Sequence, residues 1–354
     1  STQVESEMLL SNAFRQDEKD NKPKLIKVRR VNEVRSLVNR VLYENGHQSI
    51  FESAHEDENG LKHINAVVIG MGKHGIEMAK ALPWFCQMDG YRVSVDVFDI
   101  GENAESKFKS LCPELMSEEF NGKFDLEGET AYQIKVHSKM DVTTKEFDDT
   151  VAALPKATYV FVALGNDELN ILTAVKLRSL YLRLGAKPVI QAIVYNTDKK
   201  EALLGVQNFK KVPYDIDFIG DLKTSYSESV IIDSEVEEKA LARHMKWGKG
   251  WEQEKSFWQY DYNYNSSIAS AIHHEMKVLC AIPGADKLPE KRTKEELWQL
   301  RRLEHRRWNA YMRSEGYSFG GDKTPAGRND LAKIHNCLVP FDDLSPEDQQ
   351  KDDD

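Results

Sequence analysis

The chain has 354 residues, and its 48 lysines and arginines stand against 58 aspartates and glutamates, a formal net charge of −10. This length predicts two domains, and an apolar fraction of 40% is enough for a sizeable core, which excludes a wholly disordered chain. The acidic balance argues against a protein whose whole surface binds nucleic acid.

The cysteines are scattered and include no CxxC pair, so we expect neither a disulfide framework nor a structural zinc site. No apolar run approaches the ~20 residues of a membrane helix, and the start, STQVESEMLL, lacks the features of a signal peptide. We therefore expect a soluble, cytoplasmic chain. Because the chain lacks an initiator methionine and stops at KDDD, we also expect it to be a piece of a longer protein. If that protein lies in a membrane, we expect this chain to be its cytosolic portion.

Residues 1–61 are predicted to be a polar lead-in that contains one helix. The apolar residues Val34, Leu37, Val38 and Val41 recur at helical spacing, which gives this helix one apolar face. The charged, turn-like stretch from His55 to His63 separates the helix from the first predicted strand.

Residues 62–224 alternate between apolar strands and helices, a pattern typical of a parallel sheet covered on both faces. The predicted strands are Asn65–Ile69, Tyr91–Phe98, Tyr132–Val136, Thr158–Ala163, Val189–Tyr195 and Asp217–Gly220. Predicted helices start at Gly75, with an end or kink at Pro83, and cover Thr144–Leu154 and Asp167–Leu184. The fold class is therefore α/β, with a doubly wound parallel sheet.

Residues 225–354 show no further alternation of strands and helices and are predicted to form a smaller, mainly helical domain. Its helices are predicted at Glu235–Met245, Ser267–Leu279 and Thr293–Glu315. Thr293 and Glu296 have the spacing of a capping box, and Gly316 stands where a glycine ends many helices.

The most specific motif is the glycine loop, residues 70–75 with the sequence GMGKHG, between a predicted strand and a predicted helix. This context is the one that a dinucleotide-binding fingerprint requires. Gly70 permits the turn, Gly72 lets the backbone approach a pyrophosphate, and Gly75 lets helix and strand pack closely. The helix start favours phosphate charge, and Lys73 and His74 add basic groups there. A glycine turn that only packs is the alternative.

An acid, Asp99, ends the second strand a little over twenty residues after the loop. There it can accept from ribose hydroxyls, and it favours NAD or another adenosine ligand over NADP. The second rim of the crevice should come after the fourth strand, at ALGNDELN. The candidate nucleotide site is therefore Gly70, Met71, Gly72, Lys73, His74, Gly75, Asp99, Ile100, Leu164, Gly165 and Asn166. We predict no catalytic residue and no metal ligand.

GMGKHG, the acid after the second strand and VFVALGNDELN resemble TrkA-N domains, the RCK-type domains that regulate potassium conductance. The resemblance covers residues 62–222. It implies a Rossmann domain that binds NAD, NADH, ATP or another adenine nucleotide and biases a channel or transporter, in the same chain or a separate one. It also implies a homodimer. The stretch from Glu102 to Glu129 departs from the family pattern as an insertion.

The predicted helical domain concentrates aromatic and basic residues. Five of the six tryptophans lie between Trp247 and Trp308, which we interpret mainly as core packing. The arginines between Arg301 and Arg307 would spread around a helix, which does not favour nucleic-acid binding. Glu304 falls on an otherwise apolar helix face, and a buried glutamate must be paired, most simply with a neighbouring arginine.

The tail from LEHRRW to the end, with His305 and Trp308, then Gly316-Tyr317, then His335 and LVPF, resembles the ryanodine-receptor (RyR) repeat domain. This resemblance covers residues 228–354 and implies a small interaction or ligand-binding module without known catalytic activity.

Together these features predict a regulatory protein that is not an enzyme, in which NAD or another adenine nucleotide binds the Rossmann domain and the RyR-like domain adds to or transmits that binding, in the context of potassium or other ion transport. The alternative is an NAD-dependent oxidoreductase, which requires a substrate pocket with an acid–base group.

Overall fold

Six parallel strands form the centre of the molecule in the computed structural model, which describes residues 32–116, 132–205, 207, 210–228, 234–247, 252–321 and 327–352. Residues 1–31 of the predicted lead-in lie outside the described residues, as do the second half of the predicted insertion and the last two residues of the predicted tail.

Within the described residues, the strands are β1 (His55–Glu56), β2 (Lys62–Ile69), β3 (Tyr91–Phe98), β4 (Tyr132–His137), β5 (Tyr159–Val162), β6 (Val189–Ile193), β7 (Ile216–Ile219), β8 (Ser318–Phe319), β9 (Arg328–Asn329) and β10 (Ile334–His335). The order in the main sheet is β4–β3–β2–β5–β6–β7, with all neighbours parallel. The short β1 pairs antiparallel with β2, and β8, β10 and β9 form a small second sheet. The main sheet has the strand order of a doubly wound Rossmann fold.

The helices of the same residues are α1 (Glu33–Gly46), α2 (Lys73–Phe85), α3 (Ala104–Leu111), α4 (Lys145–Ala153), α5 (Asp167–Arg183), α6 (Thr197–Leu203), α7 (Leu222–Ser225), α8 (Glu235–Trp247), α9 (Glu252–Gln259), α10 (Asp261–Leu279), α11 (Lys294–Ser314) and α12 (Pro346–Gln349). A π-helical turn, His47–Phe51, comes directly after α1. The first predicted helix of the sheet region begins two residues early, at Lys73, and continues past Pro83 to Phe85.

Helices cover both faces of the sheet, as the apolar strands require. On one face, Val68 lies in the same buried cluster as Met78 and Leu82 of α2. On the other face, Phe98 packs edge-on against Phe147 of α4, with ring centroids 5.3 Å apart, and Leu177 of α5 joins the same cluster. The prediction of a doubly wound α/β sheet is confirmed.

The helices of the predicted C-terminal domain pack onto the α2 face. Leu300 and Tyr311 of α11 and Ile272 of α10 belong to the same buried cluster as α2. The rings of Trp84 and Tyr311 meet at a centroid distance of 6.1 Å. Thus the helical region and the sheet share one hydrophobic core on this side.

Polar contacts tie the same helices to the turn between α2 and β3. Nε2 of His273 lies 2.6 Å from the carbonyl oxygen of Gln87, and Asp89 accepts hydrogen bonds from Gln299 at 2.7 Å and Arg306 at 2.8 Å. Arg306 of the arginine stretch thereby contributes to docking, because it pairs with Asp89, whereas its neighbour Arg307 pairs with Glu304 of the same helix.

Local sequence signals mark the ends of α11 as predicted. The Thr293 side chain accepts from the backbone N–H of Glu296, and the Glu296 carboxylate accepts from the backbone N–H of Thr293. Gly316 has φ of +83° just beyond the last turn. The tryptophans fit the core interpretation less well, since Trp258 is 45% exposed and Trp298 is 44% exposed.

Candidate functional site

The central feature of the candidate site is the reversal of strand order between β2 and β5. The chain runs outward from β2 to β3 and β4 on one side, and from β5 to β6 and β7 on the other. Ligands of doubly wound sheets bind at the carboxyl ends of the two strands where this reversal occurs. Residues 70–75 come after β2 and residues 163–166 after β5, so the structure brings the two predicted segments together.

The three glycines of the loop meet different surroundings. Gly70 has φ of +95°, and a Cβ there would lie 2.6 Å from the carbonyl oxygen of Ala163. A Cβ on Gly75 would lie 1.7 Å from the carbonyl oxygen of Gly70. Both positions therefore require glycine for packing. A Cβ on Gly72 would come no closer than 3.8 Å to Ala163, so internal packing leaves room there.

Gly72 is also the N-cap of α2, and among the described residues no side chain caps this helix. A helix start presents backbone N–H groups that have no acceptor within the helix, together with the positive end of its dipole. The exposed Lys73 adds a positive charge at the same place. The loop therefore has the features of a phosphate-binding turn.

Asp99 has a structural contact that the sequence did not predict. One carboxylate oxygen accepts from the backbone N–H of Met71 at 2.7 Å, and the other accepts from the N–H of Gly101 at 2.7 Å. The acid thus connects the glycine loop to the end of β3. Each carboxylate oxygen can accept a second hydrogen bond, so the predicted ribose contact is compatible with this role. Ile100, the next residue, is 69% exposed.

A cleft of about 330 Å³ opens beside the glycine loop, on the β5–β6–β7 side. It is lined by Glu33, Leu37, Gly72, Lys73, His74, Ala163, Gly165, Tyr195, Gly220, Leu222, Ser225 and Tyr226. Four of the predicted site residues, Gly72, Lys73, His74 and Gly165, are in this lining. Asp99 and Ile100 belong to the other side of the loop, next to β3.

His74 and Tyr195 form a polar contact in the cleft wall, with the tyrosine hydroxyl 3.1 Å from Nδ1 of the histidine. Partial burial lowers the pKa of His74, and Lys73 lowers it further, while Glu33 opposes both. Burial also raises the pKa of Tyr195. Both side chains are therefore neutral at neutral pH, and the charges in the lining are those of Lys73 and Glu33.

The segment after β5 supports the cleft more than it lines it. Asn170 accepts the backbone N–H of Leu164 at 2.7 Å, and Asn166 caps α5 by accepting from Leu169. Asp167 accepts from the N–H groups of Tyr195 at 2.9 Å and Asn196 at 3.0 Å, which fixes the end of β6. Leu164 and Asn166 thus have structural roles here.

Sequence reasoning missed the residues that close the cleft. Tyr195 comes after β6 and Gly220 after β7, so the rule that ligands bind beyond the carboxyl ends of strands could have found them. Glu33 and Leu37 come from α1, outside the alternating region, and no local signal connects them with the sheet. Tyr226 reaches the same place from the segment after α7.

A comparison with known protein families finds no family that matches this chain, and a search of curated proteins finds no match either. No group of histidine, cysteine and carboxylate side chains with metal-binding geometry occurs in the part of the chain that the structure describes. Within the same residues, no helix is long and apolar enough to cross a membrane.

Proposed function

We propose that this chain is a nucleotide-sensing regulatory protein that binds NAD, or another adenine nucleotide, at the carboxyl edge of its parallel sheet. One observation carries the proposal: two loop glycines are required by packing, whereas Gly72 is not and opens onto the cleft. A ligand that approaches the backbone accounts for a glycine at this third position.

The position of the cleft favours a dinucleotide. Asp99 lies on the β3 side of the loop, where an adenosine ribose would bind, and the cleft lies on the opposite side. With a pyrophosphate on the loop between them, the two halves of NAD would each have a place. AMP would occupy only the place next to Asp99.

Regulation of ion transport is the context that the TrkA-N and RyR resemblances suggest, with the C-terminal helices adding to or transmitting nucleotide binding. The contact of α11 with α2 supports this assignment, because α2 begins at the glycine loop. The homodimer is part of the same proposal, and light scattering across the working concentration range tests it.

The experiment is a thermal-shift titration with NAD, NADH, ATP, AMP and ADP-ribose. A ligand at one hundred times its Kd stabilises the folded chain by about 2.7 kcal/mol, which raises Tm by several degrees. Gly72→Asp places a carboxylate against the phosphates and should abolish the shift. Ser179→Asp adds the same charge at an exposed position of α5 and should preserve it. No shift of the unaltered chain with any of these nucleotides would refute the proposal.

The pair His74–Tyr195 keeps an oxidoreductase as the second candidate, since it puts a proton-transferring pair in the cleft that a nicotinamide would enter. Hydride transfer from NADH to a panel of small carbonyl compounds, lost in Tyr195→Phe, would favour this alternative over the regulatory role.

A further inference from the structure

The lining of the cleft contains one charge of each sign. Lys73 lies in the glycine loop, and Glu33 lies at the start of α1. The Glu33 carboxylate accepts a hydrogen bond from the Tyr226 hydroxyl at 2.5 Å. Glu33 lines the same cleft as His74 and Tyr195, and its charge acts to raise the pKa of both side chains.

The rest of α1 is firmly held, so the position of Glu33 is built into the fold. Arg35 pairs with Glu77 of α2 at 2.7 Å and with Glu315, just after α11, at 2.8 Å. Leu37 is buried against the backbone of Gly220, where an added Cβ would lie 3.1 Å from its side chain. Arg35, two residues from Glu33, therefore pairs with other carboxylates.

From this geometry we propose that Glu33 is a specificity residue that makes the cleft favour an uncharged or cationic group and disfavour a further phosphate. This inference depends on the nucleotide-binding function proposed above. It narrows the ligand to dinucleotides of the oxidised NAD type, in preference to nucleoside triphosphates.

The reason is the order of groups along each ligand. With the adenosine toward Asp99 and the first two phosphates on the loop, the next group enters the cleft. In NAD⁺ that group is a ribose with a cationic pyridinium ring, in NADH the ring is neutral, and in ATP it is a charged phosphate. A carboxylate in the same cleft attracts the cationic ring, has little effect on the neutral ring and repels the phosphate.

Isothermal titration of NAD⁺, NADH, ATP and AMP tests the inference, because NAD⁺ and NADH differ mainly in the charge of one ring. We expect the unaltered chain to bind NAD⁺ about two- to fivefold more tightly than NADH, and Glu33→Gln to bring this ratio close to one. ATP should bind Glu33→Gln about three- to tenfold more tightly, while AMP changes by less than about twofold. Glu33→Lys should move both ratios further in the same direction.

Glu44→Gln is the matched control, since it removes a charge of the same sign from an exposed position on the same helix and should leave all four affinities unchanged. Raising the salt concentration should shrink the effects of Glu33, because salt screens exposed charges. If nucleotides bind but their affinity ratios are the same in all variants, Glu33 has no role in specificity and the proposed function remains. If no nucleotide binds the unaltered chain, the proposed function fails and this inference fails with it.

Discussion

Two groups of charged side chains lie at α11 or just beyond its end, and they differ in their balance of charge. The junction cluster, at the C-terminal end, consists of Arg35, Glu77, Lys80 and Glu315. The cation-rich cluster, about two to three turns toward the N-terminus, consists of Arg243, Lys277, Glu304 and Arg307. The first has as many anions as cations. The second, as defined by these four residues, has three cations and one anion, and Arg292 and Glu275 also act on Arg243.

The junction cluster joins three separate parts of the chain. Arg35 comes from α1, Glu77 and Lys80 come from α2, and Glu315 lies just after α11. Arg35 binds Glu315 through both terminal nitrogens, at 2.8 and 3.2 Å, and Lys80 lies 3.3 Å from the same carboxylate. Each charge has an opposite charge nearby, so the cluster holds these helices together over a wide range of pH.

The three cations of the cation-rich cluster all lie around the carboxylate of Glu304. Arg307 contacts one carboxylate oxygen at 2.5 Å and Lys277 contacts the other at 3.4 Å, while Ser270 connects Arg243 to the same carboxylate. The expectation that Glu304 is buried beside an arginine is confirmed. Nε and Nη1 of Arg307 are buried without a hydrogen-bond partner among the described residues.

Burial and excess positive charge have opposite effects on the two ionisable partners. Burial lowers the pKa of Lys277 to about 7, because the attraction of Glu304 is outweighed by burial together with two nearby guanidinium groups. The pKa of Glu304 is lowered despite its burial, since Arg307, Lys277 and Arg243 all favour the carboxylate. Balanced, part-buried charges therefore fix an arrangement of helices, whereas a buried excess of one sign makes the arrangement sensitive to pH.

The largest effect should come from removing the single anion of the cation-rich cluster. Glu304→Gln removes the carboxylate that faces the buried Lys277 and Arg307, and we expect the free energy of unfolding to fall by ~3–5 kcal/mol. Urea denaturation measures this loss. Glu295→Gln, at an exposed position in the first turn of the same helix, is the control and should change little. Equal stabilities of the two variants would contradict the importance of this anion.

A smaller loss is expected when the junction cluster loses an anion. In Glu315→Gln, Glu77 still faces Arg35 and Lys80, and solvent reaches the site because the Glu315 side chain is 21% exposed. We expect a destabilisation of ~1–3 kcal/mol, measured by the same urea titration. A loss larger than that of Glu304→Gln would reverse the ranking of the two clusters.

The last effect concerns pH, and it is the smallest when it is expressed per pH unit. Because the folded-state pKa of Lys277 lies near 7 and the unfolded value near 10.5, the unfolded chain binds one more proton between these limits. Stability should therefore rise with pH in this window, by up to ~1.4 kcal/mol per pH unit from this group. Urea titrations from pH 7 to 9 should show a slope that is flatter in Lys277→Met. Identical slopes in both proteins would mean that Lys277 does not titrate there.

The sheet was largely predictable from sequence, because its strands are continuous apolar runs. Tyr91–Phe98 has the predicted bounds, and the Thr293 capping box and the Gly316 terminus depend only on neighbouring residues. The glycine loop was predictable for the same reason. Its surroundings were not: the contacts of Glu33 with the cleft and of Lys277 with Glu304 join residues far apart in sequence. Such pairings arise from how helices pack, and no local pattern records them.

Helix α1 contributes both to the cleft and to the attachment of α11. Glu33 and Leu37 form one wall of the cleft, and Arg35, between them, holds α11 through Glu315. Thermodynamic linkage is reciprocal. If a ligand in the cleft loosens or tightens the hold of α11, then anything that binds the C-terminal helices and alters that hold must change the affinity of the cleft by the same factor. Helix α1 would thus couple ligand binding in the cleft to ligand binding at the C-terminal helices.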